Sequence, residues 1–178
     1  MKKIEVEAES ALRLGPPTSV VLATCISLDG KPNVITLGMY MPVSIRPPLV
    51  AIGVAPKRYS HALIRETGEF AINVPGKDLV RAVEICGTLS GKEHDKFSEA
   101  KLTPIPGKYV KPPLIKECVA HMECRVVEEH VVGDRTLFIG EVLVGHVDEH
   151  LFDKTLDLEK APTILHKAGE FFWPMRIE

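Results

Sequence analysis

Apolar residues in this chain recur at strand spacing far more often than at helix spacing. Residues 18 to 26, Thr-Ser-Val-Val-Leu-Ala-Thr-Cys-Ile, are rich in β-branched types, and the turn signal Asp29-Gly30 precedes Asn33-Val-Ile-Thr-Leu, which resumes the pattern. This predicts a β-hairpin. Pro47-Pro48 forces extended backbone and introduces Leu49-Val-Ala-Ile-Gly-Val54, a run that fits a strand buried on both faces. Ser60 then caps a predicted helix through Ala62, Leu63 and Ile64, with Gly68 as its left-handed stop, and Phe70 to Val74 returns to strand chemistry. Asp78 opens a second predicted helix over Leu79 to Cys86, stopped by Gly87. From Gly87 to Pro113 the chain is polar and broken by Gly and Pro, which predicts a long ordered loop outside the core. The last pattern is the clearest. Ala120, Met122, Cys124 and Val126 alternate with His121, Glu123 and Arg125, and Gly133-Asp134 turns the chain into Thr136 to Val144. Strands this rich in Val and Ile hide their edges best by curling into a barrel, so the expected class is mainly β with a few short α-helices.

Composition narrows the picture. A chain of 178 residues, 45% apolar, fits one domain over 1–178 with a sizeable core. Residues 1–127 carry 17 basic and 13 acidic groups and residues 128–178 carry 5 and 11, a balance without the basic face of a nucleic-acid binder. Cysteines 25, 86, 118 and 124 form neither a CxxC pair nor a zinc spacing, and no signal-peptide core opens the chain, so a reduced, cytoplasmic protein is expected. No apolar run approaches the roughly 18–20 residues that cross a bilayer, which argues against a membrane partner. His146 and His150 would suit a metal only on a helix, and Gly145 with the preceding strand pattern argues otherwise, so no metal is expected.

The candidate chemistry lies where the buried strand leaves Val54. Lys57-Arg58-Tyr59-Ser60-His61 brings two cations, a hydroxyl and a helix N-terminus to one point, and that combination suits a phosphate. The plainer alternative is that Ser60 is only a helix cap and that both cations stay hydrated.

Four ordered blocks resemble the flavin reductase and flavoredoxin group, which has the FMN-binding split β-barrel fold. They are Asn33 to Ser44 with Pro47-Pro48; Lys57 to His61 running on through Glu66 to Asn73; Cys86 to Phe97; and Glu123-Cys124 with Leu137 to Val142. The resemblance implies a homodimer with FMN near the subunit boundary. The flavin ring is expected against Thr36, Leu37, Gly38, Met39, Tyr40, Met41 and Ser44, and the phosphate near Arg58, Tyr59, Ser60 and His61, with Asn73 at the end of that block. Ser90, Lys92, Asp95 and Lys96 resemble a loop that closes toward the cofactor. Glycine at 38 lets main chain approach a flat ring closely. Where many relatives carry Trp, this chain has Met39, which fills comparable space.

The function so implied is transfer of electrons from NADH or NADPH to a flavin, a ferric complex or a protein acceptor. The cofactor carries that chemistry, and no catalytic side chain is named. The chain has no GxGxxG fingerprint, so any nicotinamide docks transiently, which leaves open a flavoredoxin-type electron carrier reduced by a protein partner. A β-barrel binding module without redox function is the third reading. The aromatic stretch Ile164 to Trp173 either packs on its own barrel or reaches a partner's flavin site.

Overall fold

The computed structural model describes residues 3–172. Seven strands build the main sheet: β1 (Val21–Ile26), β2 (Pro32–Leu37), β3 (Tyr40–Ser44), β4 (Leu49–Val54), β5 (Glu69–Val74), β6 (Ala120–Val132) and β7 (Arg135–Val147). Their order is β2-β1-β5-β6-β7-β4-β3, and every neighbouring pair is antiparallel. The two edge strands, β2 and β3, are separated in sequence only by Gly38 and Met39. Consecutive Cα atoms lie about 3.8 Å apart, so this link forces the opposite edges together and curls the sheet into a split barrel.

Two cores follow from strand alternation. Val21, Ala23 and Cys25 point into the barrel with Ile35, Ile52, Phe70, Ile72 and Phe138, and Leu63 and Ile64 pack into the same cluster from helix α1 (Tyr59–Thr67). On the other face, Val20, Leu22 and Val34 pack against Ala82, Val83 and Cys86 of helix α2 (Val80–Thr88). Phe70 and Phe138 are fully buried, and truncating either to Ala would cost about 3–5 kcal/mol. Gly140, at a bulge in β7, faces Phe70 so closely that an added Cβ would overlap its ring.

Several local expectations need correction. Ser60 does not cap α1; it lies inside the first turn, and its Oγ accepts a hydrogen bond from Asn33 Nδ2 at 2.8 Å. Arg58 occupies the cap position without a side-chain cap, whereas Gly68 takes the left-handed φ of 66° expected of it. Asp78 belongs to a preceding 3-10 turn, Lys77–Leu79, and makes no cap. Gly87 lies within the last turn of α2 because the helix packs there onto Thr36, whose Cβ would be 3.3 Å from an added Cβ. The polar stretch from Gly87 to Pro113 contains a short helix, α3 (Lys96–Glu99), and buries Phe97, Leu102 and Val110. Its apolar residues are too sparse to show a period, yet Phe97 and Leu102 pack into the outer core.

The face of β6 carrying His121 and Glu123 is also buried, Glu123 completely. The loop before β6 supplies the reason: main-chain N–H groups of Lys108, Tyr109 and Val110 donate to the Glu123 carboxylate, and His146 Nε2 lies 2.7 Å from its Oε1. Burial pushes this carboxyl up, but those hydrogen bonds outweigh it and hold the group below its usual range. His121 is pushed down to about 4 by burial and by the neighbouring His146. Among the described residues, no helix is long and apolar enough to cross a membrane.

Candidate functional site

The end of helix α2 organises a small polar cup. Its last carbonyls carry the negative end of the helix dipole and lack partners within the helix. Lys96 Nζ donates to the Cys86 carbonyl at 3.1 Å, and Arg58 Nη1 donates to the Gly87 carbonyl at 3.4 Å. Two cations are thereby drawn to one spot from distant parts of the chain. Among the described residues neither pairs with a carboxylate. Arg58 is exposed, but Lys96 is only 5% exposed. Burial lowers the Lys96 pKa, an effect that Cys86 and Cys25 oppose only when deprotonated, and Arg58 lowers it further.

The cup has a volume of about 230 Å³ and is lined by Asn33, Lys57, Arg58, Tyr59, Ser60, Ser90, Gly91 and Lys96, with Cys86 also on its wall. Because Asn33 donates to the Ser60 oxygen, the Ser60 hydroxyl proton is left for an acceptor, and the Cys25 thiol lies within its hydrogen-bonding reach. Gly91 is required by space: an added Cβ would collide with the Asn33 side chain. Cys86 is a neutral thiol, pushed up to about 11 by burial, as is Cys25. Both act as small core residues.

A cleft of about 1220 Å³ adjoins the cup and shares Ile35, Arg58 and Leu89 with it. Thr36, Leu37, Gly38 and Met39 line it beside Gly53 and Ala55, and Val83, Gly87 and Thr88 of α2 form one wall. Thr36 Oγ1 donates to the Val83 carbonyl at 2.6 Å and ties this segment to the wall. Thr18, His166, Gly169 and Phe171 also line it, Thr18 and His166 beside Gly38. These belong to a small sheet in which Thr18–Ser19 pairs with β8 (Leu165–Lys167), and β8 pairs with β9 (Glu170–Phe172). The described part of the late aromatic segment thus packs on its own chain, and Trp173 lies outside the described residues. The space exceeds a typical small-molecule pocket of roughly 300–1,000 Å³, so a fused-ring system fits.

The expected site residues therefore divide. Thr36, Leu37, Gly38, Met39 and Arg58 line the cleft, while Arg58, Tyr59, Ser60, Ser90 and Lys96 line the cup. Others lie outside both. The Tyr40 hydroxyl points to Met122 Sδ at 3.9 Å, Met41 is exposed on β3, and Ser44 lies at the far end of that strand. His61 Nε2 is 2.8 Å from Thr136 Oγ1, and its ring packs edge-on against Phe138. Asn73 Oδ1 accepts from the Ile115 main chain at 2.8 Å and lies 2.9 Å from His121 Nδ1. Asp95 caps α3 through the Ser98 N–H, and Lys92 is exposed. The cleft also includes Arg81, Arg135 and His166, which sequence reasoning did not single out. Only Phe171 carried a signal, through its aromatic cluster.

Comparison with known proteins bears on the family and the fold. The profile of the flavin reductase like domain matches residues 14–172. An uncharacterized protein of Archaeoglobus fulgidus is 47% identical over 130 residues, covering 71% of this chain and 73% of that protein. The flavoredoxin of Methanosarcina acetivorans superposes with a TM-score of 0.88 at 26% identity, covering 100% of this chain and 94% of the other. The flavoredoxin of Desulfovibrio vulgaris (Miyazaki F) gives 0.87 at 25% identity, covering 100% and 95%.

Proposed function

The chain belongs to the flavin reductase like domain family, and on that premise we propose that it binds FMN and passes electrons from NADH or NADPH to a flavin, a ferric complex or a protein acceptor. One observation carries this reading: Lys96, nearly buried and without a carboxylate, faces an anion-sized cup at the end of a ring-sized cleft. Burying an ammonium without a counter-charge is costly, and a phosphate removes that cost.

Lys96 and Arg58 would hold the phosphate, with the Ser60 hydroxyl donating a further hydrogen bond and the start of α1 adding its positive dipole end. Thr36 to Met39 would support the ring, and Gly38 admits close main-chain approach. FMN held there would supply the redox chemistry of hydride acceptance and electron release. The protein positions rings and excludes water, so no side-chain acid or base is assigned. The reading takes residues 1–178 as one domain of a cytoplasmic protein without a nucleic-acid or membrane partner. Two copies would form a homodimer, and the apolar edge strand β3 supports this, since Met41 and Val43 are exposed there beside Ile45.

The purified protein should be yellow, and mass analysis of the released cofactor should give FMN. Anaerobic addition of NADH or NADPH should bleach it. Bleaching only by a reduced protein partner would favour the second reading, a flavoredoxin-type carrier, which the likeness to two flavoredoxins supports. Colourless protein that takes up no added FMN would leave only a non-redox binding module.

A further inference from the structure

Beside Gly38 the cleft is lined by a hairpin that none of the four sequence blocks contains. Strands β8 and β9 place His166 opposite Phe171, with ring centroids 5.4 Å apart. The turn residues Ala168 and Gly169 have φ of 53° and 94°, the consecutive left-handed pair of a type I′ hairpin. This turn aims the Gly169 N–H at His166 Nε2, 3.2 Å away. A ring nitrogen that accepts a hydrogen bond bears no proton, so in the neutral imidazole the proton sits on Nδ1.

That Nδ1–H has no hydrogen-bond partner among the described residues. It faces Gly38, where an added Cβ would meet Thr18 Oγ1 at 3.3 Å and His166 Nδ1 at 3.9 Å. Strand pairing of Thr18 with His166, and the Thr18 hydroxyl bond to the His166 carbonyl, hold the His166 main chain, while the Gly169 N–H and the Phe171 ring orient the imidazole. The molecule thus presents one donor, fixed in tautomer and position, at the part of the cleft assigned to the ring.

We propose that His166 is the ring-end donor of this site, its Nδ1–H bonding the carbonyl and nitrogen edge of the flavin ring. The proposal rests on the FMN reading and deepens it. A reduced flavin would carry more negative charge along that edge, and the His166 proton would stay on Nδ1 with no bond to the imidazole made or broken. Hydrogen bonds to charged acceptors are roughly twice as strong as those to neutral ones, so the donor favours the reduced ring over the oxidised one.

The test uses full-length protein carrying His166→Leu, which removes the donor, or His166→Asn, whose amide N–H stands where Nδ1 stood. Riboflavin and FMN are titrated, and the two-electron midpoint potential of the FMN-loaded protein is measured. The Leu variant should weaken both oxidised flavins by the same factor, about three- to tenfold. It should weaken the reduced flavin about tenfold more, which lowers the midpoint by about 30 mV. The Asn variant should recover most of both losses. An unchanged potential in the Leu variant, or equal losses in the Leu and Asn variants, would overturn the assignment and mark a packing role. A loss confined to FMN would overturn it too, placing His166 at the phosphate end. Should the Leu variant not fold, nitrogen NMR of wild-type His166 decides: riboflavin should shift Nδ1 while the tautomer stays fixed, and no shift refutes the donor. Wild type that binds no flavin defeats the FMN reading itself, whereas flavin binding indifferent to His166 defeats only this proposal.

Discussion

Replacing Lys96 with Met should move ligand affinity and apo stability in opposite directions. In the free protein Lys96 is 5% exposed, and among the described residues its ammonium has one hydrogen bond, to the Cys86 carbonyl at 3.1 Å. Desolvating an ion costs several kcal/mol. The carbonyl bond returns roughly 1.5–3 kcal/mol and the helix end about 0.3–1. Methionine fills similar space without the charge. The apo variant should therefore be more stable by about 1 kcal/mol, which raises Tm by roughly 2–4 °C in a chain of this size. Because the Lys96 pKa is lowered by folding from 10.5, the unfolded chain binds more protons between the folded value and 10.5. Wild-type stability then rises with pH across that window, and the variant loses this rise. With ligand the sign reverses. Losing charge-assisted bonds worth about 1.5–3 kcal/mol weakens FMN by roughly ten- to 150-fold, while riboflavin, which has no phosphate, should hardly change. Flavin fluorescence titration and scanning calorimetry read the two effects. Equal losses for FMN and riboflavin, or a lower apo Tm with FMN affinity intact, would refute the role given to this cation.

Three further outcomes are expected. Arg58→Ala should weaken FMN about tenfold and Ser60→Ala by less, with riboflavin titration as the control, because Arg58 is exposed and Lys96 remains in either variant. Urea denaturation should show stability falling as pH drops from 6.5 toward 4, by on the order of 3 kcal/mol, since folded His121 titrates near 4 and the unfolded chain takes up its proton first. Below 4.5 the lowered Glu123 pKa adds to the loss in the same direction, and a flat profile would refute both assignments. Gly140→Ala should destabilise by about 1–3 kcal/mol through overlap with Phe70, measured as a shift in the urea midpoint.

The hairpins were legible because their signal is local. Alternation and a Gly-containing turn define β1 with β2 and β6 with β7, and the uninterrupted run Leu49–Val54 marks β4. Period alone could not show that the His121 and Glu123 face is buried, because its cover comes from main-chain donors on a separate loop. Nor could it show why Gly87 sits inside a helix, since the reason is contact with Thr36 in another element. The site divides in the same way. Arg58, Ser60 and Lys96 stand in blocks whose residue types already suit an anion, and the structure brings them to one cup. The aromatic stretch Ile164 to Trp173 was visible in sequence, but the place of His166 beside Thr18 was not, because the two meet through a pairing 148 positions apart that has no local pattern.

The strand order also fixes when the site is finished during synthesis. Residues lining the anion cup have all been made once Lys96 emerges. At that stage β4 pairs only with β3, because its other neighbour is β7, and β5 likewise still lacks β6. About fifty more residues separate Lys96 from the end of β7 at Val147. At ribosomal rates of roughly 5–20 residues per second, the two unpaired edges face the cell for about 3–10 seconds. The nascent chain is most exposed to mispairing in that interval, before its cleft can hold a ring.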